Sequence, residues 1–156
     1  MDLIVDNMSE HYASQIVCWN YEPPYDFYNS SASPEGIKEL MEQPYYAVLD
    51  PYGELIGFFC IGESAQVPAG KKFGAYLEGF IDIGLGMKPE LTGKGLGFTF
   101  FSRILDYVYC SVPGIPLRLT VASFNERAVG LYRKAGFEEL MRFYRGPVEF
   151  IVMTKN

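Results

Sequence analysis

The sequence predicts a mixed α/β fold, one sheet with helices on both faces, and three observations predict it. Two apolar, β-rich runs, residues 73–85 and 117–122, each lead through a turn into an amphipathic helix, the pattern of a sheet with helical crossovers. Two further pairs of β-rich runs are joined by short turns, Asp50-Pro51-Tyr52-Gly53 and Gly146-Pro147, which reads as hairpins. Two helical stretches stand between the first strand and the first hairpin. The predicted order is β-α-α-β-β-β-α-β-α-β-β.

Each element has its own signal. Residues 3–5 give a short strand. Asn7 with Glu10 forms a capping box that opens a helix running through Trp19, and Pro23-Pro24 stops it. Tyr21, Tyr25, Phe27 and Tyr28 crowd the irregular segment that follows. Ser33 caps a second helix with Pro34 at its first position, and Ile37, Leu40 and Met41 form its buried face until Pro44. Residues 45–49 and 55–61 are strands, 66–72 a polar loop, and 73–85 a long central strand. From Leu96 the apolar positions 96, 100, 101, 104, 105 and 108 share one helical face. A Pro- and Gly-containing linker, 110–116, leads to strand 117–122. Asn125 caps the next helix, Ala128, Leu131, Tyr132 and Ala135 share its face, and Gly136 is the left-handed residue that ends it. Residues 139–145 and 149–154 close the chain as a hairpin.

The length of 156 residues fits one domain, and 49% hydrophobic with 16% aromatic residues means an ordered core. No apolar run approaches the roughly 20 residues of a membrane span. The acidic start does not read as a secretory leader. Cys18, Cys60 and Cys110 are unpatterned and read as reduced, mostly buried thiols of a cytoplasmic protein, with no metal site. Net charge −6 argues against nucleic acid and suits attraction of a cationic amine. The lone His11 is placed at the surface.

The stretch that carries chemistry is Met87-Lys88-Pro89-Glu90-Leu91-Thr92-Gly93-Lys94-Gly95-Leu96-Gly97-Phe98. Strand, glycine-rich turn and helix together present backbone N–H groups at the positive end of a helix, a site for phosphate. Gly93, Gly95 and Gly97 can take positive φ and let an anion approach. The spacing is neither a Walker loop nor a dinucleotide fingerprint, and a turn without a ligand is the alternative.

With Asn125, Ala128, Leu131, Tyr132, Gly136 and Phe137 following Thr92-Gly93-Lys94-Gly95-Leu96-Gly97 in this order, the chain resembles the GNAT superfamily of acetyl-CoA-dependent N-acetyltransferases. The resemblance covers about residues 80–138. It implies a mostly antiparallel sheet whose fourth and fifth strands splay apart. It also implies a single GNAT-like acetyltransferase domain over 1–156, acetyl-CoA as co-substrate without a metal, and an amine acceptor that is a small molecule or a protein N-terminus. A monomer or homodimer is expected, with no membrane or nucleic-acid partner. A non-catalytic acyl-CoA-binding module of the same fold is the alternative.

The resemblance also distributes roles. Backbone amides from Gly93 through Phe98 would grip the diphosphate, with Lys94 adding charge, a solvated lysine being the alternative. Leu85, Gly86 and Met87 match the strand end that meets the pantetheine arm, and the Leu85 N–H is the candidate oxyanion donor. Gly84 and Gly86 within a strand read as a bulge or a close ligand approach. Tyr132 matches the tyrosine that protonates the leaving thiolate, a core tyrosine being the alternative. Asn125 matches a contact to the CoA arm, a plain helix cap being the alternative. Thr92 replaces the family's Arg/Gln, and Thr120 its glutamate base. Asp82, in an otherwise apolar strand, is then the expected base, with Glu78 and a water-mediated route behind it. The segment holding Tyr21, Tyr25, Phe27 and Tyr28 matches the part of the family that helps to form the acceptor pocket, a packed aromatic loop covering the core being the alternative.

Overall fold

In the computed structural model, which describes residues 2–29 and 33–156, the order of strands and α-helices is the predicted one. The chain falls into two compact units, Met1–Cys60 with Leu85–Tyr107, and Ile61–Gly84 with Val108–Asn156.

In the first unit, β1 (Ile4–Asn7) pairs antiparallel with β2 (Tyr45–Leu49), and β2 with β3 (Leu55–Ile61). Alternation sorts the side chains between two faces. Ala47 and Leu49 pack with Phe58 against α1 (Glu10–Ile16) and α2 (Pro34–Glu42), through Ala13, Ile16 and Leu40. On the opposite face Tyr46 stacks on Phe59 at 5.0 Å, and both rings meet Tyr107 of α3 (Gly97–Ser111). Gly57 shares that face because a Cβ there would lie 2.5 Å from the Phe100 ring. Helices therefore cover both faces.

The cap of α1 is Ser9, not Asn7. The Ser9 hydroxyl accepts from the Tyr12 amide at 3.2 Å, whereas Asn7 is the last residue of β1. The helix also ends at Ile16 rather than at Trp19, its tail tightening into the shorter bonds Cys18 N–Gln15 O and Trp19 N–Ile16 O. Ser33 caps α2 by accepting from the Gly36 amide, with Pro34 at the first helical position.

In the second unit, β5 (Leu117–Ala122) pairs antiparallel with β7 (Val148–Lys155), and β7 with β6 (Glu138–Arg145). The strand β4 (Ile81–Met87) runs from this unit into the first. Its parallel pairing with β5 includes Ile81–Leu117 and Asp82–Arg118. The central strand is shorter than the predicted 73–85. Gly74 and Gly79 take φ of +74° and +106° and break the extended run, while Tyr76 and Phe73 turn onto Phe143. Residues 68–73 form a 3₁₀ turn that belongs to the same packed segment. Two of the three thiols, Cys18 and Cys110, are exposed and only Cys60 is buried, against the expectation that most would be inside.

Candidate active site

The glycine bend begins where β4 ends. The amide of Lys88 donates to the Ile56 carbonyl, extending contact with β3. Residues 89–91 make one 3₁₀ turn, and Leu91 and Thr92 donate back to Lys88 and Pro89. The Thr92 hydroxyl donates to the Pro89 carbonyl at 2.7 Å, so that side chain is spent on its own turn. Gly93 and Gly95 then take φ of +73° and +77°, conformations that cost an L-residue about 1–2 kcal/mol. A Cβ on Gly95 would meet nothing within 4 Å. The requirement for glycine there is conformational, and the space beside it is open.

Gly97 differs from the sequence expectation. It is the first residue of α3 and is not among the left-handed glycines. The first bond of the helical ladder is Phe100 N to Leu96 O at 3.0 Å. The amides ahead of it lie at the positive end of a 15-residue helix. Leu96 and Thr99 line a largely apolar cavity of about 100 Å³ with Leu3, Asp50, Ile56 and Leu91, so Leu96 has its backbone, not its side chain, to offer a ligand. Lys94 and Phe98 are exposed. An open bend with left-handed glycines at a helix N-terminus can hold an anion.

The end of β4 carries a contact that the sequence did not reveal. The Tyr21 hydroxyl donates to the Met87 carbonyl at 2.7 Å. Burial, and then the nearby Glu90 carboxylate, push the Tyr21 phenol up to about 12, so it stays a proton donor at physiological pH. Gly86 is glycine for a packing reason. A Cβ there would lie 2.6 Å from the Phe58 ring, so its small size needs no ligand to explain it.

The remaining predicted residues belong to the second unit. The Asn125 side chain accepts from the Ala128 amide at 3.2 Å, capping α4 (Glu126–Lys134). Tyr132 lies two turns along the same helix, 8% exposed, with the Phe137 ring 6.4 Å away. Gly136, at φ +100°, ends the helix as expected.

Asp82 does not sit alone in apolar surroundings, the setting that its strand alone suggests. Arg118 donates through Nε to Oδ1 at 2.7 Å and through Nη2 to Oδ2 at 2.8 Å, and the Gln66 amide donates to Oδ2 at 2.9 Å. Arg118 also donates to the Leu77 carbonyl and lies over the rings of Tyr76 and Phe80. Both residues are buried, 4% and 2% exposed. A carboxylate with three donors on two oxygens is built as an anchor, and it fastens β4 to β5 at a paired register. The signal for this pair was present in the sequence as two opposite charges, each embedded in an apolar strand. Thr120, at the family's glutamate position, is bonded to the Tyr76 hydroxyl at 2.8 Å. Glu78 is exposed.

A glycine bend at the start of a helix suits an anion, and sequence comparison supplies the class of protein that carries it here. The model of the acetyltransferase (GNAT) family matches residues 5–137. The chain belongs to that family and is an acyltransferase of the N-acetyl-transferring kind.

Solved structures share the fold. Mutant forms of the spermidine/spermine N-acetyltransferase SpeG from Vibrio cholerae superpose with a TM-score of 0.67 at 22% identity, covering 99% of this chain and 94% of that one. A chimera of the Vibrio cholerae SpeG with hSSAT gives 0.69 at 23% identity over 97% and 94%. A protein provisionally described as a phosphinothricin N-acetyltransferase gives 0.71 at 16% identity over 99% and 98%. Curated proteins give no significant sequence match.

Proposed function

We propose that the protein transfers the acetyl group of acetyl-CoA to a cationic primary amine, on a small molecule or a protein N-terminus, by direct attack of the amine on the thioester. The observation that carries this reading is the bend at residues 93–97. Its two left-handed glycines, open flank and following helix suit a diphosphate. In this reading the amides of Gly93 to Phe98 hold the diphosphate, Lys94 adds a charge at the rim, and Thr92 shapes the turn without touching the donor. Leu85, Gly86 and Met87 offer backbone groups to the pantetheine arm, the Leu85 N–H facing the thioester oxygen as charge builds there. Tyr132 returns a proton to the departing thiolate, and Asn125 steadies α4 at its start.

For the ammonium proton, the three hydrogen bonds on Asp82 favour release to water over transfer to that carboxylate. The acceptor side has a charge signature of its own. The first sixty residues hold ten carboxylates and one lysine, a field that draws in cations. Within the segment of residues 20–29, Glu22 and Asp26 are interleaved with Tyr21, Tyr25, Phe27 and Tyr28, and carboxylates beside aromatic faces suit an ammonium. Polyamines such as spermidine, the substrate named for the SpeG structures, are therefore the first acceptors to try.

The test is thiol release from acetyl-CoA across spermidine, monoamines, amino acids and peptide N-termini. Turnover is expected with cationic amines and strongest with polyamines. Tight CoA binding without thiol release on any acceptor would instead favour the binding-module alternative.

A further inference from the structure

The segment of residues 20–29 is a closed loop that the Tyr21 hydroxyl ties to the strand end. Its base is clasped by asparagines: the Tyr21 amide donates to Asn29 Oδ1 at 2.6 Å, and Asn29 Nδ2 donates to Asn20 Oδ1 at 3.0 Å. Its interior is held by Tyr25 N to Glu22 O and Asn29 N to Asp26 O. From this base the Tyr21 hydroxyl reaches the Met87 carbonyl, 66 positions along the chain. Between Met87 and Gly93 every turn is pinned. Lys88 N bonds Ile56, Leu91 N bonds Lys88, Thr92 N and Oγ1 both bond Pro89. A short, hydrogen-bonded block therefore joins Tyr21's acceptor atom to the first left-handed glycine.

We propose that Tyr21 is a positioning residue that couples the aromatic segment at residues 20–29 to occupancy of the glycine bend, so that a ligand held at the bend also orders the segment. The inference rests on the donor reading above and extends it to the second substrate. When the donor fixes the amides of residues 93–98, it restrains the block, the Met87 carbonyl and the loop base that hangs from it. The amine then meets a loop already ordered, and because such coupling is reciprocal, each substrate tightens the other's binding. A hydroxyl is required for this. A phenylalanine ring at position 21 could fill the same space but would leave the carbonyl without its donor.

Hydrogen exchange of the full chain tests this with CoA itself as the probe, because the amides of Tyr21, Tyr25 and Asn29 are all hydrogen-bonded. In the wild type, saturating CoA should slow exchange of the 20–29 peptide by about fivefold or more, the lower end of ordinary coupling between sites. Tyr21→Phe should bind CoA calorimetrically within about twofold of wild type, yet lose that slowing. Asn29→Ala serves as the control for a merely structural role. It should speed exchange in the free protein while keeping the CoA-dependent slowing. Retained CoA-dependent slowing in Tyr21→Phe would overturn the proposal. So would wild-type CoA binding without any change at residues 20–29, which would leave the donor reading intact. Failure of wild type to bind CoA at all would overturn both.

Discussion

At the scale of single residues, polar side chains divide into those proposed to move a proton and those that hold the structure. Tyr132 is buried on the face of α4, and we expect Tyr132→Phe to lower kcat about a hundredfold, the ordinary worth of a positioned acid, with acetyl-CoA affinity nearly unchanged. Steady-state kinetics with calorimetry decide it, and an unchanged kcat would remove the acid role. Asp82 makes the opposite case. Replacing it with Asn leaves the Arg118 guanidinium buried against a neutral partner, and breaking such a pair costs about 3–5 kcal/mol. Urea denaturation should show that loss, while the pH–rate profile of the folded fraction keeps its shape. A flattened basic limb would restore Asp82 as the base.

The sequence marked Asp82 as unusual because it is a charge inside an apolar strand. It could not show that Arg118, 36 positions away, would meet it with two parallel hydrogen bonds. Tyr21 was legible only as one aromatic in a crowded segment. Its hydrogen bond to a backbone carbonyl leaves no trace in residue type.

At the scale of elements, local chemistry was informative wherever a turn or cap decided the conformation. Ser33 with Pro34, Asn125, Gly136 and the Asp50 turn all stand where their residue types place them. Expectation failed where packing replaced periodicity. Phe73 and Tyr76 looked like the start of a strand but are drawn onto Phe143, and the glycines at 74 and 79 permit the departure. Gly86 reads in the sequence as a close ligand approach, and the Phe58 ring, 2.6 Å from where a Cβ would stand, already requires glycine there. Within the bend the decisive position is Gly95. Gly95→Val forces a β-branched residue to φ near +77° and should cost about 2 kcal/mol in stability. CoA affinity should fall together with it, measured by thermal denaturation with and without ligand. Loss of stability with CoA affinity intact would detach the bend from the donor.

At the scale of the molecule, the fold class and element order were readable because two helical crossovers and two hairpins admit few arrangements. The uneven charge has a consequence for kinetics. With ten carboxylates and one lysine in its first sixty residues, the protein should show a KM for a polyamine that rises several-fold between about 0.05 and 0.5 M salt as the field is screened. The kcat should hold steady. A salt-independent KM would mean that the field plays no part in acceptor capture.

Everything upstream of the amine depends on the bend gripping a diphosphate through its main chain, and calorimetry of two related ligands tests that directly. CoA and pantetheine share the thiol arm, but only CoA carries the diphosphate. CoA should bind at least about a hundredfold more tightly, a difference of about 2.7 kcal/mol, and Gly95→Val should erase most of the gap. Equal affinity for the two ligands, or a gap that survives Gly95→Val undiminished, would contradict that grip.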